Sequence, residues 1–145
     1  MNDRHSIEMP DGCSLIPFSA HSDGRGDLVS FETRKEVPFD IKRVYVISNT
    51  INQSTRGYHA HKSLQQLIFC PSGECSITLD DSLTKKEINL NQTERWALLI
   101  EKPVWRVIKP ATSHTTLVIL ANEHYDEADY IRNYKEFCAF KTLCH

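Results

Sequence analysis

The chain has 145 residues, 40% hydrophobic and 25% charged, with 17 basic against 19 acidic side chains and a formal charge of −2. That length suits one domain, residues 1–145, with a core of its own. The charge balance argues against a polybasic surface for nucleic acid or anionic lipid, so any phosphate contact is local. Met1-Asn2-Asp3-Arg4-His5-Ser6 carries no apolar leader, and no stretch approaches the roughly 18 apolar residues of a membrane span. A cytoplasmic protein with neither nucleic acid nor membrane as partner is expected. Five cysteines, Cys13, Cys70, Cys75, Cys138 and Cys144, form an odd, irregular set beside apolar segments, which favours free thiols. A zinc site on Cys70 and Cys75 is the sharper alternative, but no second Cys pair accompanies them.

Along the chain, strands are expected over 27–32, 42–49, 58–61, 64–70, 75–79, 87–90, 96–100, 105–108 and 115–121. Turn residues punctuate them at Asp23-Gly24, Pro71-Ser72-Gly73, Asp80-Asp81-Ser82, Pro103 and Pro110. No repeat, low-complexity tract or linker divides the series. Many short strands at regular spacing indicate an all-β sandwich or barrel, and barrels often keep a ligand site inside. Within Arg43-Val44-Tyr45-Val46-Ile47, alternation gives Tyr45 the face opposite Val44 and Val46. Its phenol is either a core aromatic or a donor to a developing oxyanion. Helix is expected only near the end, where Tyr130, Ile131, Tyr134, Phe137 and Cys138 recur at helical spacing behind Asp126 or Asp129 as N-cap.

His59-Ala60-His61 is the main chemical signal. On a strand, residues i and i+2 share a face, so both rings should point into one cavity, as metal ligands or as acid-base groups. After His61, four residues lead to Gln66 and six more to Gly73, a spacing that resembles the first cupin motif. Metal-binding cupins usually have glutamate where Gln66 stands and take a third histidine from a later motif. Here Lys102-Pro103-Val104-Trp105-Arg106 offers arginine instead. A neutral amide ligates poorly and a guanidinium not at all, so proton transfer is favoured and no metal is assigned. His114 is the remaining candidate third ligand, in an apparent loop. Arg56 stands three residues before His59 and would face the other way on a regular strand, unless Gly57 supplies a bulge.

The residues now support a wider resemblance. Asp23-Gly24-Arg25-Gly26-Asp27-Leu28, Pro38-Phe39-Asp40-Ile41-Lys42-Arg43-Val44-Tyr45, Arg56-Gly57-Tyr58-His59-Ala60-His61-Lys62 and Tyr125-Asp126-Glu127-Ala128-Asp129-Tyr130-Ile131-Arg132-Asn133-Tyr134 follow one another in family order. In this the chain resembles the nucleotide-sugar 3,4-ketoisomerases that act on dTDP-4-keto-6-deoxyglucose. Related dTDP-sugar 3,5-epimerases share the Asp-x-Arg-Gly and Arg-Gly-x-His elements and lack the Ala-His-Lys continuation.

The resemblance implies a cupin-type jelly-roll β-barrel with a short C-terminal helix, and an isomerase that needs no cofactor. The ketone would move from C4 to C3 through an enediol, giving a 3-keto-6-deoxyhexose for 3-amino-3,6-dideoxysugar synthesis. It implies His59 as base at C3, His61 as a relay and Tyr45 as a partner of the enediolate. Arg25 and Arg56 would meet the diphosphate, Gln66 the sugar hydroxyls, and Trp105 would stack on thymine or fill the barrel mouth. A homodimer is implied as well, with an N-terminal strand paired onto the neighbouring subunit. The residues by themselves leave open a metal-dependent cupin enzyme and a non-catalytic nucleotide-sugar-binding cupin.

Overall fold

A computed structural model describes residues 8–144. The first of two five-stranded sheets runs in the order β1 (Cys13–Pro17), β9 (Trp96–Ile100), β6 (Gln66–Ser72), β11 (Thr116–Ala121), β4 (Arg43–Ile47). The second runs β12 (Tyr130–Ile131), β5 (Arg56–His61), β10 (Trp105–Pro110), β7 (Glu74–Asp80), β8 (Lys85–Asn91). A separate hairpin joins β2 (Ala20–Asp23) to β3 (Gly26–Val29). The architecture is the expected all-β jelly roll with one short C-terminal helix. Its sheets face each other as a sandwich and are not hydrogen-bonded into one closed barrel.

Alternation sorts the side chains. Ile68 and Cys70 of β6, with Leu117 and Ile119 of β11, point inward and meet Ile77, Leu79 and Ile108 from the second sheet. The outward Leu67 and Leu120 are buried too, because the segment before β4 folds Val37 and Phe39 over them. Each such fully buried aliphatic side chain contributes about 1.5–3 kcal/mol relative to exposure. On β4 the pattern is open: Tyr45 packs inward while Val44 and Val46 lie exposed.

The C-terminal helix α1 spans Tyr134–Leu143 and starts later than its apolar stripe suggested. Asn133 is its N-cap, its side chain accepting from the Glu136 N–H at 3.1 Å. Tyr130 and Ile131 form β12 instead, pairing with His61 and Ala60. Without them β5 would be a sheet edge with unpaired backbone groups, and this tertiary pairing outweighs the local helical pattern. Asp126 caps only the short 3₁₀ turn Glu127–Asp129. Sequence patterning also passed over β1 and β2; β1 pairs antiparallel with β9. All five cysteines are free. Among the described residues no helix is long and apolar enough to cross a membrane.

Candidate active site

Strand β5 carries the site. Opposite it, Arg106 pairs with His59, but the next residue of β10, Val107, pairs with Gly57, so Tyr58 is an extra residue in the ladder. This bulge needs positive φ at Gly57 (+96°) and Tyr58 (+55°). A Cβ at Gly57 would stand 2.6 Å from the Arg106 carbonyl oxygen, so glycine is required there. The inserted residue turns Arg56 to the same face as His59, the redirection that Gly57 suggested in the sequence.

That face opens on a cavity of about 420 Å³, lined by Tyr45, Arg56, His59, Gln66, Arg106, Tyr130 and Arg132 among others. Behind it, Arg106 is buried on the floor, with only 2% of its surface exposed. Its Nη1 donates to the Gln66 Oε1 and its Nη2 to the Val104 carbonyl at 3.2 Å. The Gln66 Nε2 in turn donates to the Tyr45 hydroxyl oxygen at 2.6 Å. The amide is thus used at both ends and its orientation is set by the guanidinium. Since Tyr45 accepts from Gln66, its own O–H proton is free to be donated into the cavity. Burial raises the Tyr45 pKa, which keeps that proton in place at neutral pH.

The histidines stand side by side, ring centroids 4.9 Å apart and planes at 85°. Burial, and next the Arg106 charge, push the His59 pKa down to about 4, so the ring is neutral and basic in form at neutral pH. His61 is 2% exposed and is pushed down to about 2, first by burial and then by Arg106 and His59. Its Nδ1 meets the Asp129 Oδ2 at 3.1 Å, which is therefore a hydrogen bond from a neutral ring to a carboxylate. Tyr130 stands against both rings, with centroids 5.0 Å from His59 and 4.4 Å from His61.

The two histidines share a face of β5, but they do not share one cavity as expected. His61 lines an adjoining hollow of about 370 Å³ with Arg43, Asp129 and Tyr125, and Tyr130 belongs to both spaces. Four of the candidates from sequence, Tyr45, Arg56, His59 and Gln66, come together around the first cavity. Arg25 does not. It lies at the tip of the β2–β3 hairpin in a separate hollow, ion-paired to Asp23 at 2.7 Å. Trp105 also points elsewhere, because alternation sets it opposite Arg106; it packs outside the sandwich on Tyr134 (5.5 Å) and Phe137 (6.0 Å) of α1.

Arg106, Tyr130 and Arg132 are site residues that sequence reasoning did not select. For Arg106 the signal was its phase with Val104, just before β10, and Ile108 on it, both buried. For the other two it was the closing Tyr-Asp-x-x-Asp-Tyr-Ile-Arg segment, in which Arg132 lies 4.3 Å over the Tyr130 ring and is held by Glu127 at 2.8 and 3.0 Å. That paired grip, with the Tyr125 hydroxyl, lowers the Glu127 pKa to about 2 and raises that of Arg132. Among the described residues no three His, Cys, Asp or Glu side chains cluster to hold a metal ion. His114 is exposed on its turn.

Residues 11–142 match the family model described as "FdtA: WxcM-like, C-terminal". The TDP-4-oxo-6-deoxy-alpha-D-glucose-3,4-oxoisomerase of Aneurinibacillus thermoaerophilus is 41% identical over 123 residues, 85% of this chain and 88% of the relative. A histidine-to-asparagine mutant of the 3,4-ketoisomerase QdtA from Thermoanaerobacterium thermosaccharolyticum, solved in complex with TDP-4-keto-6-deoxyglucose, superposes with a TM-score of 0.87 at 38% identity, over 93% of this chain and 97% of that one. The WlaRB TDP-quinovose 3,4-ketoisomerase of Campylobacter jejuni is 43% identical with a TM-score of 0.83, over 89% of this chain and 98% of its own. The chain belongs to the FdtA family, among the nucleotide-sugar 3,4-ketoisomerases.

Proposed function

We propose that the protein is a dTDP-4-keto-6-deoxyglucose 3,4-ketoisomerase that works as a single domain and without a cofactor. The observation that carries the reading is the grouping of a neutral base, His59, and a free phenolic donor, Tyr45, in one cavity whose lining also includes Arg56 and Arg132. The 4-keto group acidifies the hydrogen on C3. His59 takes that proton, and Tyr45 donates a hydrogen bond to the oxygen on C4 as negative charge develops there. As the ketone forms at C3, the 3-hydroxyl gives up its proton, the C4 oxygen gains one, and a proton is delivered to C4. Overall, C3–H and O3–H are lost while C4–H and O4–H are gained, so no electron acceptor is required.

Substrate recognition follows from charge. Arg56 and Arg132 offer guanidinium groups to the diphosphate, and Gln66 lies beside the sugar. The exposed Val44, Val46 and Leu28, at 58%, 56% and 60%, support a homodimer that covers apolar surface. The free thiols fit a cytoplasmic setting. The product, a 3-keto sugar, suits an aminotransferase that makes a 3-amino-3,6-dideoxyhexose.

Incubation with dTDP-4-keto-6-deoxyglucose in D2O tests this directly. Deuterium on C3 or C4 and NMR signals of a 3-keto product are expected, with both abolished in His59→Asn while TDP affinity stays within about threefold. Binding with no exchange by the wild-type protein would make it a nucleotide-sugar-binding cupin instead.

A further inference from the structure

The segment Tyr125 to Arg132 holds His61 through Asp129. Asp129 has both oxygens committed: Oδ1 accepts from the Ser63 backbone N–H and from the Ser63 hydroxyl, each at 2.9 Å, and Oδ2 meets the His61 Nδ1 at 3.1 Å. The Asp129 carbonyl also accepts from the Lys62 N–H at 2.9 Å, and the next residue, Tyr130, pairs with His61 in the ladder. The carboxylate therefore cannot turn away from the ring without breaking contacts on both sides of it.

An ionised carboxylate only accepts, so the nitrogen facing it must carry the hydrogen. In a neutral imidazole the other nitrogen is then an acceptor. That nitrogen, Nε2, is buried and has no hydrogen-bond partner among the described residues. Buried acceptors are rarely left bare, and one beside a catalytic ring calls for a reason. The reason lies in the charge around His59. Its neighbours in the cavity include Arg56, Arg106 and Arg132, all opposed to a second positive charge.

We propose that Asp129 is a positioning residue: it fixes His61 as the Nδ1–H tautomer, so that this buried ring, its centroid 4.9 Å from that of His59, carries an electron-rich Nε2 and not a second N–H while His59 gains its proton during turnover. Asp129 thereby favours the protonated His59 without touching substrate. This rests on the isomerase reading given above for the role of His59, but the tautomer itself does not.

Nitrogen-15 NMR of histidine-labelled protein at neutral pH, with His61 assigned by comparison with a His61→Gln variant, reads the tautomer without substrate. The expected spectrum shows Nδ1 protonated and Nε2 bare; a protonated Nε2 overturns the proposal whether or not the protein is an isomerase. Asp129→Asn is nearly isosteric, and its amide can turn an N–H toward Nδ1 and so reverse the tautomer. Its kcat is then expected to fall about 100-fold, within the range of a positioned acid-base group, with KM within about threefold. Asp129→Glu keeps the carboxylate and should recover part of the loss. A reversed tautomer with unchanged kcat overturns the proposal. Should Asp129→Asn fail to fold, the wild-type spectrum still decides the tautomer, and Asp129→Glu decides its effect: Nδ1–H retained with partial activity supports the proposal, and partial activity with Nε2–H overturns it. Absence of deuterium exchange in the wild-type protein, with the expected tautomer present, refutes the isomerase reading and leaves the clamp on His61 standing.

Discussion

Arg106 faces His59 directly across the β5–β10 ladder, so a buried guanidinium and the proposed base occupy one rung of the same sheet. The pairing sets the acid-base behaviour of the site. Burial and the Arg106 charge both disfavour the imidazolium, so His59 stays neutral well below the ordinary histidine pKa of about 6.5. A general base must be neutral to act. The acid limb of kcat/KM is therefore expected near pH 4, with activity lost as pH falls through it. Arg106→Met removes the largest charge among the causes and should move the limb upward, toward 6.5, in a pH–rate profile.

Gln66 joins the buried charge to the phenol. Gln66→Ala leaves the Arg106 Nη1 without its acceptor and the Tyr45 oxygen without its donor. A buried hydrogen bond to a charged group is worth about 1.5–3 kcal/mol, and a loss of that size is expected in urea unfolding. Turnover should fall as well, since Tyr45 is no longer oriented by the chain from Arg106.

The bulge at Gly57 is a backbone requirement. Gly57→Ala meets both an unfavourable φ of +96° and a carbonyl oxygen 2.6 Å from the new Cβ. Strain of this kind costs about 1–3 kcal/mol, and relaxing it means moving Arg56 relative to His59. Thermal unfolding should show the first effect. Calorimetry with TDP should show the second as weaker binding.

Trp105 separates a packing role from a binding one. Its half-buried ring packs against Tyr134 and Phe137 on the outer side of the second sheet. Trp105→Ala is expected to cost about 3 kcal/mol of stability, as large aromatic truncations do. TDP affinity, measured at a temperature where the variant is folded, should change by less than about twofold.

Much of this arrangement was legible in the chain because period-two alternation survives wherever one face is buried. Val44-Tyr45-Val46 reads correctly from that rule, and Arg106 would have been found by extending it from Val104 and Ile108. What sequence could not supply was register. One extra residue at Tyr58 decides that Arg56 and His59 share a face, and nothing before the ladder is formed states which residue is extra. Tyr130 and Ile131 fit a helical stripe as well as a strand, and only the unpaired side of β5 chooses between them. The β2 sequence Ala20-His21-Ser22-Asp23 is polar and carries no alternation to detect, so its hairpin partner alone defines it.

The two-residue strand β12 has a consequence for the order of assembly. Ribosomes release the chain from its N-terminus, and Asp129, Tyr130 and Arg132 emerge only after almost all of both sheets. Until they do, β5 has a partner on one side only, and the imidazole of His61 lacks both its carboxylate and its aromatic cover. The nascent sandwich can therefore fold around its core before the surroundings of His61 are complete, and the segment from Asp129 to Arg132 closes over that ring afterwards.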